Sequence, residues 1–295
     1  MVRTAPAARL RLLSEHQLTW LDVFTARPLS GNQLAVVHDA DGVGDDTMLA
    51  FARETRLSET TFVQSPAAEG ADYRNRIWMV RGEVPFAGHP SLGTAAAVAF
   101  AQGQERASYV QQTRAGLQRC DVERTGPRTA RATMLQEPAT FGPELDPDRV
   151  FAAIGVARAF ADPRLPPQNV STGAQQILVP VVADALGDLR PDFEACRALI
   201  DELGALTIYV AAVEGASARA RALLVDLDRL GEDAATGSAA GPLMAYLHER
   251  LGLERLRIEQ GVEMGRPSVL ECSLEDGRVR VGGDVVLVMR GSVTL

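Results

Sequence analysis

Two stretches decide the architecture: PFAGHPSLGTAAA (residues 85–97) and EDAATGSAAGPLMAYL (residues 232–247). Within them, Gly93-Thr94-Ala95-Ala96 and Gly237-Ser238-Ala239-Ala240 are near copies about half the chain apart. Each follows β-rich segments and opens an alanine-rich apolar stretch that should be a buried helix, the first over residues 92–101. Self-similarity at this distance points to duplication of a supersecondary unit. The fold expected is α+β, with two strand-rich halves, each with strands wrapped around one apolar helix. Strands alternate too irregularly for a doubly wound parallel sheet, and no GxGxxG is present.

Outward from these stretches, residues 18–25 and 34–38 read as strands joined by a turn through Pro28, Ser30, Gly31 and Asn32. Asp45 or Asp46 can cap a helix running to Arg56. Strands are expected over 60–64, 72–80, 108–113, 116–123 and 131–136. A proline-containing connection over 137–147 leads to short helices near 148–154 and 192–203, among strands at 176–182, 205–213 and 221–227. The chain closes with strands at 255–260, 268–274, 278–281 and 284–290. The division expected is an extension over 1–17, a first half over 18–125 and a second over 126–295, the final strand being free to return to the first half.

The 295 residues carry a formal net charge of −8 and ample apolar sequence for a core. All 30 basic residues are arginine. A lysine Schiff base, a Walker phosphate loop and protein-kinase chemistry are therefore excluded. An arginine-rich coding bias is the simplest origin of the missing lysine, and the exclusions hold regardless. Acidic balance argues against a nucleic-acid partner. No apolar run reaches the length of a membrane span, and the first residues lack the pattern of a secretory signal. Three dispersed cysteines, Cys120, Cys196 and Cys272, fit a reducing cytoplasm.

The polar residues that stand out sit in the two loops. His89 lies between Gly88 and Pro90 at a helix start, and Glu232 and Asp233 precede Thr236, Gly237 and Ser238 at another. Helix N-termini offer unpaired N–H groups and partial positive charge, so each can hold a carboxylate or an oxyanion. If the halves face each other, both helix ends converge on one cleft suited to a small anionic acid. Taken singly, Asp233 and Ser238 would be ordinary helix caps and His89 a loop-bonded histidine. Glu59, in LSETTFV, would be a solvated edge residue, except that Leu57, Phe62 and Val63 suggest it enters the interior. A buried carboxyl without a cationic partner can exchange protons near neutrality. The four histidines lack metal-ligand spacing, and no GxSxG elbow occurs.

At these residues the chain resembles the PhzF-like isomerases of phenazine biosynthesis, within the diaminopimelate-epimerase-like fold. The resemblance runs through DVFTARPLSGNQLAVV (22–37), LSETTFV (57–63), the two loop stretches and QGVEMGRPS (260–268), in family order. It implies two pseudo-symmetric domains, each a β-barrel-like fold around a central helix, with the active site between them, a homodimer, and isomerisation without a cofactor. Matched position by position, Glu59 would be the general acid/base, with His89 and Asp233 the assisting pair. Asn32, Gly88, Gly237 and Ser238 would contact substrate, the glycines through backbone N–H groups. Related epimerases use a cysteine at each loop, where this chain has none. Gln33 and Ala234 replace common prolines. RALLVDLDRLGED (221–233) lacks the Arg-x-Phe pattern often found there, which leaves the phenazine-precursor substrate itself open. The reaction expected moves a proton between two carbons of a small conjugated carboxylic or amino acid. An amino-acid epimerase of the same fold and a non-catalytic binding homologue are the alternatives.

Overall fold

The computed structural model describes residues 13–226 and 229–295. The first unit runs β1 (Glu15–Val23), β2 (Asn32–Val37), α1 (Asp45–Thr55), β3 (Thr60–Gln64), β4 (Tyr73–Met79), β5 (Gly82–Val84), α2 (Gly88–Gln102), β6 (Arg106–Thr113), β7 (Gly116–Arg124) and β8 (Thr129–Leu135). The second runs β9 (Thr140–Glu144), α3 (Pro147–Ile154), β10 (Gln168–Ser171), β11 (Gln175–Val181), α4 (Phe193–Leu203), β12 (Thr207–Glu214), β13 (Ser217–Asp226), β14 (Arg229–Asp233), α5 (Gly237–Leu251), β15 (Arg255–Gln260) and β16 (Ser268–Glu275). One long strand, β17 (Arg278–Thr294), joins the two.

Strands β1, β2, β3, β4, β6, β7, β8 and β17 hydrogen-bond in that order, and β17 pairs back onto β1. The result is a closed eight-stranded barrel. Such a barrel has an interior barely wide enough for side chains. A helix fits inside only if it is slim, and α2 is: Ala95, Ala96, Ala97 and Ala99 are all buried within it. The helix packs against every strand of the ring. Around α5 the second unit repeats the scheme, with β10 to β13 followed by β15, β16 and β17.

Duplication is visible in the connections. Parallel steps occur at β2–β3 and β4–β6, and again at β11–β12 and β13–β15. The hairpin pairs Ile77 with Val84 in the first unit and Ala222 with Asp233 in the second. Both central helices are 15 residues long and end on a left-handed glycine, Gly103 or Gly252. This alignment corrects the repeat proposed from the sequence. Gly237 heads its helix, whereas Gly93 lies a turn and a half inside α2, so the true counterpart of Gly237-Ser238 is Gly88-His89. The GTAA/GSAA match reflects alanine-rich helix composition five residues out of register.

Other boundaries also move. The extension expected over 1–17 lies outside the described residues as far as residue 12, and Glu15 already belongs to β1, paired with Thr294. The boundary drawn at 125/126 falls between β7 and β8, which are hydrogen-bonded neighbours. The cap of α1 is Gly44, without a side-chain bond, and Asp45 instead meets Arg76 at 3.0 Å. The strands expected at 278–281 and 284–290 are one, continued through Gly282 and Gly283. A Cβ at Gly282 would lie 2.7 Å from the Ala132 carbonyl, so β8 can approach only a glycine. Strands β9 and β10 were not expected, being short and, in β9, largely exposed.

Candidate active site

Both central helices begin at the seam between the units, and they begin against each other. A Cβ on Gly88 would stand 2.9 Å from the Ser238 nitrogen and 3.1 Å from the Gly237 Cα. Neither helix has a side-chain cap: the N-cap residues are Ala87 and Thr236, and neither side chain bonds the first turn. Two sets of unsatisfied N–H groups therefore share one small region, the arrangement that favours a bound anion. Asp233 and Ser238 are not ordinary caps. His89 is the second residue of α2 and not a loop residue.

The sequence-predicted residues converge here. His89 is buried, and its Nε2 stands 3.6 Å from Glu59 Oε2. Neither atom has a hydrogen-bond partner. Asn32 ties the units together. Its Nδ2 donates to Asp233 Oδ1 at 2.7 Å and to the Ala235 carbonyl at 3.0 Å, and it lies 3.1 Å from His89 Nδ1. Turning the amide over would set its oxygen against two acceptors, so the nitrogen faces them. Its two hydrogens serve those two acceptors, so the 3.1 Å approach to His89 Nδ1 packs the ring against the amide and places Nε2 toward Glu59. Asp233, the last residue of β14, has both oxygens engaged. Oδ2 accepts from Thr236 Oγ1 at 2.7 Å, and Ser58 Oγ lies 3.5 Å from Oδ1.

Burial sets the protonation of all three. It raises the Glu59 carboxyl well above the ordinary glutamate range, reinforced by the neighbouring Asp233 charge and partly offset by Arg81. It raises Asp233 as well, against hydrogen bonds from Thr236, Asn32, the Ala234 backbone and Ser58. It lowers His89 to about 3, opposed in part by the Gln33 backbone, so the ring is neutral at physiological pH. The outcome is a proton-hungry carboxyl facing a neutral imidazole.

Ser238, at the start of α5, is half-buried, with Gln176 Nε2 at 3.4 Å from its hydroxyl. Glu232 does not join the site. It belongs to β14, where Arg221 holds it bidentately at 2.9 and 2.7 Å. Among the described residues, no group of three or more His, Cys, Asp or Glu side chains is placed to share a metal ion.

Asp22, Arg266 and Gln260 were quoted in the sequence motifs but not assigned to the site. Arg266 donates to Asp22 Oδ1 at 2.7 Å and to the carbonyls of Ser30 and Gly31 at 2.7 and 2.8 Å. Asp22 Oδ2 accepts from the Leu29 N–H at 2.6 Å. This bolt clamps the turn that delivers Asn32. Gly31 is left-handed there, and a Cβ would fall 2.4 Å from the Val23 carbonyl. Removing one partner of a buried pair strands the other charge, so Arg266→Ala should cost about 3–5 kcal/mol. Denaturant unfolding should show that loss, and the same change at the exposed Arg106–Glu123 pair should cost under about 1 kcal/mol.

Comparison with known proteins identifies the family and the fold. The family model for phenazine biosynthesis-like proteins (PhzC-PhzF) matches residues 21–291. The trans-2,3-dihydro-3-hydroxyanthranilate isomerase of Pseudomonas aeruginosa is 36% identical over 273 residues, spanning 90% of this chain and 93% of that protein. A solved structure of a predicted epimerase from the same species superposes with a TM-score of 0.84 at 36% identity, covering 94% of this chain and 99% of that one. A hydroxyproline epimerase from Agrobacterium vitis shares the fold alone, with a TM-score of 0.69 at 12% identity over 97% of this chain and 93% of that one. A carboxyl, an imidazole and two uncapped helix starts at the seam of a duplicated barrel thus occur in a chain that belongs to the phenazine biosynthesis-like family and is an isomerase of the PhzF-like kind.

Proposed function

We propose that the enzyme moves a proton between two carbons of a small, conjugated, carboxylate-bearing acid or amino acid, without a cofactor, using Glu59 as the single acid/base. One observation carries this reading. Glu59 Oε2 and His89 Nε2 face each other at the seam with no other partner, while both Asp233 oxygens are occupied. The free proton-transfer atoms therefore come from one unit and address one face of a substrate.

The substrate carboxylate would lie on the N–H groups at Gly88, Gly237 and Ser238. Glu59 as carboxylate would take a proton from the carbon acidified by conjugation. The negative charge would spread along the conjugated system, stabilised by preorganised donors. The protonated Glu59 would then return the proton further along, on the same face. With its ring proton on Nε2, His89 would steady the carboxylate form of Glu59 from 3.6 Å.

Two-base epimerisation needs a second group opposite the first. Through the strand registers, Thr61 with Ile77 and Val84 corresponds to Tyr209 with Ala222 and Asp233, so the counterpart of Glu59 is Thr207. Its hydroxyl donates to Gln176 Oε1 at 2.6 Å and has no acid/base capacity near neutrality. The three thiols are buried, and burial pushes all of them up, Cys120 to about 12 and Cys196 to about 11. With no lysine in the chain, an imine route is closed.

Trans-2,3-dihydro-3-hydroxyanthranilate, the substrate named for the relative, and other unsaturated amino acids are the compounds to offer. In D2O, NMR of the product should show deuterium at a newly saturated carbon together with a shifted double bond. Label at one stereocentre with the double bond in place would mean epimerisation and overturn the reading. The homodimer implied by the resemblance and the cytoplasmic setting suggested by the dispersed cysteines belong to the same proposal, and light scattering of the purified enzyme should give twice the chain mass.

A further inference from the structure

We infer that Gln260 is a positioning residue for the proton transfer: through Thr236 it aims the Asp233 carboxylate at the Glu59–His89 pair. The inference rests on the proton-transfer reading of the site. Gln260 is the last residue of β15 and is completely buried. Its amide is fully used. Oε1 accepts from the Tyr209 hydroxyl at 2.9 Å and from the Thr236 N–H at 3.1 Å. Nε2 donates to the Asp233 carbonyl at 2.8 Å and to Thr236 Oγ1 at 2.9 Å.

The direction of these bonds matters. An amide NH2 can only donate, and a threonine hydroxyl has one proton. With Gln260 donating to Thr236 Oγ1, that proton must point at Asp233 Oδ2, where the distance is 2.7 Å. Asn32 donates to the other oxygen from the opposite unit. The carboxylate is thus gripped from both sides of the seam, and the chain Tyr209–Gln260–Thr236 sets one of the two grips. Gly261 makes the approach possible: it is left-handed, and a Cβ there would fall 2.6 Å from the Ala234 carbonyl. The charged or titratable groups around Asp233 are Glu59, His89 through Asn32, and Tyr209, with Arg81 acting on Glu59.

Losing the Thr236 donor would favour the neutral form of Asp233 and remove the negative charge beside Glu59. Glu59 should then give up its proton more easily. The test follows the Glu59 carboxyl by 13C NMR titration in the full-length enzyme, together with the pH profile of deuterium exchange. Thr236→Val swaps one hydroxyl for a methyl, and Gln260→Ala removes the whole clamp. In both, the Glu59 titration and the acid limb of the profile should move to lower pH by about half a unit or more. Thr236→Ser should restore the wild-type position. If Gln260→Ala fails to fold, Thr236→Val with its serine rescue decides the matter alone. A Glu59 titration unmoved in Thr236→Val, with only the melting temperature lowered, would overturn the inference and leave Gln260 a structural residue. The titration needs no substrate. A failed proton-transfer reading would instead appear as exchange that survives loss of Glu59, whatever the titration shows.

Discussion

Glu59→Gln should lose at least about 100-fold in deuterium exchange and in turnover, the lower end of what a positioned general base contributes. The amide keeps the shape of the side chain and can still face His89 Nε2, so geometry survives while basicity is lost. The same variant should be more stable than the wild type above neutrality. The folded-state value of Glu59 is raised by burial and by Asp233. A raised value means the native state holds the proton more tightly than the unfolded chain. Stability from this group is complete below the ordinary glutamate value, about 4.3, and is lost as pH climbs through the raised folded value. Glutamine carries no such penalty. Its advantage should be absent near pH 4 and grow to about 1–3 kcal/mol in alkaline solution, a rise of several degrees in melting temperature. Parallel thermal melts from pH 4 to 9 measure this directly. Wild-type exchange in the variant would remove Glu59 from the chemistry, and parallel melting curves would show that the carboxyl is not forced to ionise in a dry site.

Gly88→Ala should be nearly as damaging to activity, for a purely steric reason. Gly88 has an ordinary helical backbone, so alanine is conformationally acceptable there. Its methyl would nevertheless meet the Ser238 nitrogen at 2.9 Å and the Gly237 carbonyl carbon at 3.1 Å. These are backbone atoms at the start of another helix and cannot swing aside. The two helix starts must separate, and with them the shared anion cradle. Overpacking of this kind costs about 1–3 kcal/mol. A displacement near 1 Å in a reacting geometry costs about 100-fold in rate. The expected result is kcat/KM down by that factor, with melting lowered by a few degrees. Full activity would mean that the two helix starts do not bind the substrate together.

Glu59, His89 and Asp233 were identifiable because each sits in a motif with its own residue types: a carboxyl entering an apolar strand, and polar residues at glycine-marked helix starts. Asn32 was matched as a substrate contact, yet its amide hydrogens are spent on Asp233 and Ala235, beside His89. That work was illegible because its partners lie 57 and about 200 residues away. Gln260 and Arg266 were missed for the same reason. A glutamine at a strand end and an arginine in a turn have no local signature, and their value appears only when Thr236 or Asp22 arrives from elsewhere. The repeat shows the opposite failure. An alanine-rich helix matches itself at several offsets, so composition suggested a register that only the strand pairings could correct.

Local chemistry along the chain thus determined the kind of most of its elements, the two alanine-rich central helices, the class of residues able to carry a proton and the routes closed by the absence of lysine. Helical and strand periodicity, glycine at turns and the reactivity of a side chain are properties of short stretches, so they survive in the sequence. Tertiary structure alone decided that both helix starts meet, that Glu59 Oε2 and His89 Nε2 are left without partners while Asp233 is gripped from two sides, and that β17 serves both units. Those outcomes depend on burial and on distances between residues far apart in the chain. Burial also gives Glu59 its affinity for a proton, because the cost of ionising a carboxyl is set by the water it has lost.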